Sequence, residues 1–384
     1  MFQNSELQNN YRRLDTPFLL VNKQTLLRNL ARLRREIEGL GADLRPHFKT
    51  LRSLEATQYL LPEKTSPVTV STMKEAEALA NEGYSNIIYA VGISAAKLPR
   101  VQNLITKGTK VMVLLDNMEQ ARNLNQFSED NHCTIPALIE IDCDGHRGGI
   151  SPDDPKLLEI ARLLHHGAAH LQGVLTHAGE SYHCFEQMSL RAAAQNEVKV
   201  ALKAAGFLRS AEIPCEVVSI GSTPTAHSFK NLEGITEVRA GVYGLFDLVM
   251  TGIGVCDIDD IAVNIVTTVI GHNEDKGWLF IDAGWMALSS DRGTANQPED
   301  CGYGLLTDSN GELLANFQVT IVNQEHGIIE VVDGGSIDFG NFPIGCRLHI
   351  LPNHACATAS MHKQYHVFDT QDNSYEVWNR IQGW

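Results

Sequence analysis

The chain has 384 residues, 43% of them hydrophobic, with 31 glycines and 13 prolines, a composition that buries a core and excludes a disordered or fibrous polypeptide. Thirty-one basic against 46 acidic side chains leave a net charge of −15 with no long basic run, which argues against nucleic acid as a partner. Residues 1–16 lack an apolar signal-peptide core, no stretch approaches the ~20 apolar residues that span a bilayer, and the eight cysteines form no C-x-x-C pair, so a cytoplasmic protein with free thiols and no membrane contact is expected.

Length predicts about two domains at roughly 150 residues each. Leu26, Leu27, Leu30, Leu33, Ile37 and Leu40 recur on one helical face and predict a helix over Lys23 to Leu40, stopped by Gly41. Eight short apolar, β-branched runs follow, at 44–49, 67–72, 86–91, 110–116, 136–143, 171–179, 216–222 and 237–243. Crossover segments such as Met73 to Asn81, Met118 to Phe127 and Pro155 to His166 separate them. Eight βα units in this length predict a closed (β/α)8 TIM barrel, an α/β fold. An open doubly wound sheet is the alternative, but no G-x-G-x-x-G follows the first strand. Beyond about Gly254 the chain reads as strands without helices, at 260–271, 277–283, 315–322, 327–333, 347–353 and 364–369, and predicts a mainly antiparallel β domain. The expected domains are 17–253 and 254–384, with residues 1–16 packing on the second. The Gly-, Asn- and Asp-rich segment Asp291 to Asp308 is longer than an ordinary connection, a mark of functional loops.

A parallel barrel presents its active site at the carboxyl ends of its strands. Lys49 ends the first in Arg45-Pro46-His47-Phe48-Lys49-Thr50, where a desolvated lysine can form a Schiff base; it also reads as a surface lysine. Small and hydroxylic residues follow strand seven (Gly221, Ser222, Thr223), and glycines flank the end of strand eight (Arg239, Gly241, Val242). Barrels often bind phosphate at this position, though either segment alone is an ordinary glycine turn. A lysine facing an anion cradle is the layout expected for pyridoxal phosphate, whose aldehyde takes an amine and whose phosphate takes hydrogen-bond donors. Arg147, after strand five, could meet an anionic ring oxygen, and His177, after strand six, could lie on the ring face. In the β domain, residues i and i+2 of an extended segment point the same way, so His354 and Cys356 can share a metal. Zinc suits that pair and keeps positions open for water or substrate, while a core His–Cys pair is the plain alternative. His362, His366 and His326 are further candidates that nothing selects.

In this order R-P-H-F-K-T, D-G-H-R-G-G, L-T-H-A-G, S-I-G-S-T-P-T and P-N-H-A-C-A-T resemble the motifs of fold-type III pyridoxal phosphate enzymes. This is the alanine-racemase-like class, and the resemblance runs over essentially the whole chain. Within it they look like the metal-activated branch of D-serine dehydratases, D-threo-3-hydroxyaspartate dehydratases and D-threonine aldolases. E-V-R-A-G-V-Y, D-K-G-W, D-A-G-W-M-A and N-Q-E-H-G are most similar to the hydroxyaspartate dehydratases.

The resemblance implies that Lys49 forms the Schiff base and that Arg147 contacts the phenolic oxygen of the cofactor. His177 and Tyr182 would line the ring, with Arg239 near the pyridine nitrogen and Gly221, Ser222, Thr223, Gly241 and Val242 on the phosphate. His354 and Cys356 would hold Zn2+. The aldolases of the branch tend to carry His-x-Asp there, so Cys356 implies dehydration. The expected reaction converts D-threo-3-hydroxyaspartate to oxaloacetate and ammonia, and possible D-serine turnover would give pyruvate. D-threonine aldolase activity is the first alternative. A non-catalytic pyridoxal phosphate-binding protein is the second, disfavoured because such proteins resemble the barrel alone. A homodimer is expected by resemblance. Gly244 departs from the pattern where a bulkier residue is expected. Arg292 and Arg45 are candidates for a distal substrate carboxylate, and Asp282 and Gln324 end β-domain strands near the expected site.

Overall fold

A computed structural model describes residues 5–308 and 311–384. Its strands fall into two sheets. The first strand, β1 (Phe18–Asn22), belongs to the second sheet. The next eight, β2 (Asp43–Pro46), β3 (Pro67–Val70), β4 (Asn86–Gly92), β5 (Lys110–Leu115), β6 (Pro136–Ile141), β7 (His170–Thr176), β8 (Val217–Ile220) and β9 (Glu237–Ala240), are all parallel to their neighbours, in the order β2-β9-β8-β7-β6-β5-β4-β3. The edges β2 and β3 meet through a parallel bridge between His47 and Thr69. There Phe48 N donates to the Thr69 carbonyl at 2.8 Å, which brings the sheet round into a nearly closed barrel. The expected (β/α)8 architecture is therefore present with all eight strands.

The strand sequences explain the barrel. Val111 to Leu115 is apolar at every position and buried throughout, as strands covered on both faces require. Ile88, Met112, Leu114, Leu138 and Leu175, taken from four adjacent strands, form one buried cluster. Thr72, Asn117 and Asp154 each cap a crossover helix by accepting a backbone N–H.

The second sheet has nine strands, completed by β10 (Val263–Asn273), β11 (Trp278–Ile281), β12 (Gly304–Thr307), β13 (Leu313–Val322), β14 (Gly327–Val331), β15 (Arg347–Pro352), β16 (Gln364–Asp369) and β17 (Ser374–Asn379). It is antiparallel except where β1 runs parallel to β16. Leu7, Phe18, Leu20, Val266 and Phe368 make a core cluster with Tyr11, Leu14 and Tyr375 packed against it, so the helix Ser5–Arg13 joins this sheet.

Two compact units result: Ala31–Gly241 with Ile381–Trp384, and the residues up to Leu30 with Val242–Arg380. The boundaries thus differ from 17–253 and 254–384. Phe18–Asn22 hydrogen-bonds between β10 and β16 and cannot belong to the barrel. No helix among the described residues is long and apolar enough to cross a membrane.

Candidate active site

Most barrel strands stop before the ends expected from sequence, and the chemistry-bearing residues sit just past them. β2 ends at Pro46, and Lys49 lies in the turn that follows, exposed, rather than in a strand reaching residue 49. The loop after β9 comes against it. A Cβ on Gly241 would lie 3.3 Å from Thr50 Oγ1, 3.4 Å from His47 Cβ and 3.7 Å from Lys49 Cε, so this backbone passes within contact distance of the lysine stem. Gly241 N in turn donates to Thr223 Oγ1 at 3.3 Å, joining the loops after β8 and β9.

Gly221 follows β8 with φ +131°, and a Cβ there would stand 2.2 Å from the Arg239 carbonyl oxygen. Only glycine fits. Ser222 caps the short helix Thr223–Ala226, its Oγ accepting from Thr225 N at 3.3 Å, and Val242 opens the buried turn Val242–Gly244.

His177 follows β7, half-buried, with Nδ1 2.9 Å from the Gly221 carbonyl oxygen. A carbonyl only accepts, so Nδ1 carries the proton and Nε2 the lone pair. Burial, reinforced by the charges of Arg147 and Arg239, pushes the pKa of this imidazole down to about 3, and it is neutral at working pH. Its Nε2 is buried without a hydrogen-bond partner. The Tyr182 ring centroid is 6.4 Å from that of His177. Arg147 sits in the exposed loop after β6. Arg239 is buried, donating from Nε to Ser219 Oγ at 2.9 Å and from Nη2 to the Thr176 carbonyl.

These residues suit pyridoxal phosphate on their own chemistry. Lys49 offers an amine for an aldehyde, the turn joining 221–223 to 241 offers a phosphate the Thr223 hydroxyl, whose oxygen accepts from Gly241 N and whose own proton is not spent in that bond, and a neutral imidazole with an unanswered nitrogen suits an aromatic ring. His47, not singled out from the sequence, belongs with them: burial drives its pKa well below the usual histidine value, and Lys49, Arg239 and His177 act in the same direction.

His354 and Cys356 also come together, though on a different backbone than the extended segment expected. β15 stops at Pro352; His354 is the extended N-cap of the helix Ala355–Ser360, and Cys356 lies in its first turn. The long loop supplies a partner that sequence reading did not name, Asp291, with Oδ2 2.5 Å from His354 Nδ1. Burial opposes a charge on this imidazole, but the hydrogen bonds to Asp291 and Cys356 outweigh it and raise the pKa to about 11. Asn353 fastens the loop, donating to Thr294 Oγ1 at 2.7 Å and to the Gly302 carbonyl at 2.6 Å. Buried Asp247 accepts from Ala355 N at 2.8 Å and fixes the turn itself. A thiol, an imidazole and a carboxylate on the imidazole's other nitrogen form a donor set that zinc accepts, with Nε2 left as the ligating atom. A second group, His146, Glu180 and His183, has donor atoms within 4.8 Å of one another on the exposed loops after β6 and β7.

Other candidates have structural roles. Arg45 is buried, paired with Glu237 at 2.7 Å and donating to the Val68 and Asn86 carbonyls, so it is not placed to bind a substrate carboxylate. Arg292 pairs with Asp300 and lies over the Tyr303 ring. Asp282, just past β11, accepts from Thr16, ahead of β1, and from Thr267 and Thr268 of β10, and Gln324 is on an exposed turn. His362 bonds to the Ala287 carbonyl, His366 to Tyr375 and His326 to Asn323. Gly244 packs on the helix Lys23–Gly39, where a Cβ would meet Leu26 Cδ1 and Leu30 Cδ2 at 3.0 Å. Leucine methyls thus hold the space a bulkier residue would take.

Comparison with known proteins finds relatives that span most of the chain. Residues 21–247 match the alanine racemase N-terminal domain, and residues 262–368 match the putative serine dehydratase domain. The chain is 45% identical to D-threo-3-hydroxyaspartate dehydratase of Delftia sp., over 97% of this chain and 98% of that protein. It is 28% identical to D-serine dehydratase of Dictyostelium discoideum, over 97% of each. The solved structure of an alanine racemase-like protein from Idiomarina loihiensis superimposes with a TM-score of 0.94 at 48% identity, covering 97% of this chain and 99% of that one.

Proposed function

The chain belongs to the alanine-racemase-like family, in its serine dehydratase branch, and is a dehydratase; we propose that it dehydrates D-3-hydroxy amino acids, D-threo-3-hydroxyaspartate above all, as a cytoplasmic enzyme. The observation that carries this reading is the convergence of Lys49, neutral His177 and the Gly221 and Gly241 loops at one end of the barrel. Lys49, Arg147, His177, Tyr182, Gly221, Ser222, Thr223, Arg239, Gly241 and Val242 would hold pyridoxal phosphate, and His354 and Cys356 would hold zinc. The cofactor supplies an electron sink for the pair left at Cα, and the metal supplies a Lewis acid for the departing hydroxyl.

The chain's own residues do the rest. Lys49 Nζ would anchor the cofactor and accept the α-proton, a task for an amine in the exposed turn after β2. His177 holds its proton on Nδ1 against the Gly221 carbonyl and presents an unprotonated Nε2. Asp291 orients His354 through Nδ1, which would leave Nε2 for a metal. The water lost in elimination is regained when the product enamine hydrolyses, so hydroxyaspartate yields oxaloacetate and ammonia, and D-serine yields pyruvate and ammonia.

Keto-acid release decides the matter. Purified protein given D-threo-3-hydroxyaspartate, D-serine and D-threonine should release keto acid fastest from the first, lose this activity to a chelator and regain it with zinc. Acetaldehyde from D-threonine without keto acid would make it an aldolase. Lys49→Ala should abolish both turnover and the long-wavelength absorbance of the bound cofactor, and retained absorbance would remove Lys49 from its role. The reading includes a homodimer, supported by exposed Leu313, Ile321, Val332 and Ile344 in the second unit; a light-scattering mass equal to one chain would refute it.

A further inference from the structure

The helix Gln187–Ser210 turns a stripe of Leu190, Ala194, Ala201, Ala204, Ala205 and Leu208 into the barrel wall, and Glu197 lies in the middle of it, fully buried. A carboxylate in such a stripe is costly unless its oxygens are answered, and here they are. Oε1 accepts from Ala178 N at 3.0 Å and from Gly221 N at 2.9 Å, while Oε2 accepts from Thr225 Oγ1 at 2.7 Å. Ala178 is the residue after His177, beyond β7. Gly221 is the first residue beyond β8, and Thr225 lies in the short helix that Ser222 caps.

One carboxylate oxygen therefore ties together the ends of two adjacent strands at the two places where the cofactor-facing groups begin. Gly221 makes both bonds, donating its N–H to Glu197 and accepting through its carbonyl from His177 Nδ1. The second oxygen orders the hydroxyls. Because Thr225 spends its proton on Glu197, its Oγ1 is left to accept from Ser222 N at 3.1 Å. Ser222 Oγ meets Ser181 Oγ at 2.8 Å, and Ser181 Oγ donates to the Ala178 carbonyl at 2.6 Å. The path returns to the residue from which it started, and its donor directions follow from Thr225 donating to Glu197; burial pushes the Glu197 carboxyl up and its three hydrogen bonds pull it down.

We propose that Glu197 is a positioning residue of the cofactor site: by holding the Ala178 and Gly221 amides it sets the spacing of His177 from the Gly221–Ser222–Thr223 loop and locks His177 in the Nδ1–H tautomer. The proposal rests on the reading that this loop and His177 face pyridoxal phosphate. It assigns to a helix on the outside of the barrel control over which ring nitrogen His177 presents.

The test uses the full chain, stripped of cofactor and retitrated with pyridoxal phosphate. Glu197→Ala removes both acceptor oxygens, Glu197→Asp withdraws them by one methylene, and Glu197→Gln keeps a carbonyl oxygen for the two amides. The Ala and Asp variants should bind pyridoxal phosphate at least about tenfold more weakly, the scale of one hydrogen bond to a charged group, and Gln should restore most of the loss. Nitrogen NMR of histidine-labelled apoprotein, assigned with His177→Asn, should show a protonated Nδ1 in wild type and Gln, and a mixed or reversed tautomer in Ala. If Ala does not fold, Asp is read in its place. A folded variant with wild-type affinity and an unchanged His177 tautomer would overturn the proposal and leave the cofactor reading standing. Wild-type protein that binds no pyridoxal phosphate would overturn both.

Discussion

His177 shows how far one side chain's behaviour follows from its surroundings. Its pKa is pushed down to about 3, whereas an unfolded chain would leave it near the ordinary histidine value of about 6.5. Between those values the unfolded state binds the extra proton, so the contribution is complete above about pH 6.5 and is lost as the pH falls towards 3, at up to about 1.4 kcal/mol per unit. His177→Gln should flatten the dependence of apoprotein melting temperature on pH over about 4 to 6.5, and a variant with the parent slope would refute this account. Much of the candidate site was legible at this scale because Lys49, His177, Gly221, Gly241, His354 and Cys356 each sit in a short run just past a strand. His47 was hidden in plain view, since nothing in R-P-H-F-K-T says which member is desolvated. Asp291 and Glu197 were illegible for another reason: each reaches its partners across the fold, Asp291 from 63 residues away and Glu197 from inside a helix whose pattern reads simply as amphipathic.

The strands owe their lengths to what the barrel interior tolerates. Apolar patterning placed all eight, yet it carried 44–49, 136–143 and 237–243 too far, because residues such as Phe48 and Tyr243 are as buried as strand residues while lying in turns. Three strands were missed: β12 is four residues inside a glycine-rich stretch, β1 is too short for a period to emerge, and β17 is the short return strand of a hairpin with β16. Across β2 and β9 the buried Arg45–Glu237 pair, 2.7 Å apart with both side chains under a tenth exposed, serves the barrel rather than the substrate. Glu237→Ala would strand a buried guanidinium and should cost about 3–5 kcal/mol in urea unfolding. A loss below about 1 kcal/mol, the range of exposed pairs, would show that the carbonyls of Val68 and Asn86 suffice.

At the scale of the whole molecule, the chain begins in one unit, builds the other and returns. β1 is central in the second sheet, pairing over Phe18–Val21 with β10 and over Leu20–Asn22 with β16. Deleting residues 1–22 would open two unpaired edges in the middle of that sheet while sparing every residue assigned to the cofactor. Such a truncation should aggregate or lose its cooperative melt, and a well-behaved truncated protein would contradict the pairing. Two domains were legible from texture alone, α/β giving way to all-β. The debt of the second to the first thirty residues was not, because a strand's address lies in its partners.

That pairing has a consequence in time. β1 and β10 are hydrogen-bonded neighbours separated by roughly 240 residues of chain, which a ribosome working at about 5–20 residues per second takes roughly 12–50 s to deliver. During that interval the apolar run Phe18 to Val21 has left the exit tunnel and has nothing to pair with, while the barrel completes from contacts closer together in the chain. The sheet that starts first in the sequence is the one that must be finished last, and the nascent protein needs a guardian for its opening strand until the barrel is done.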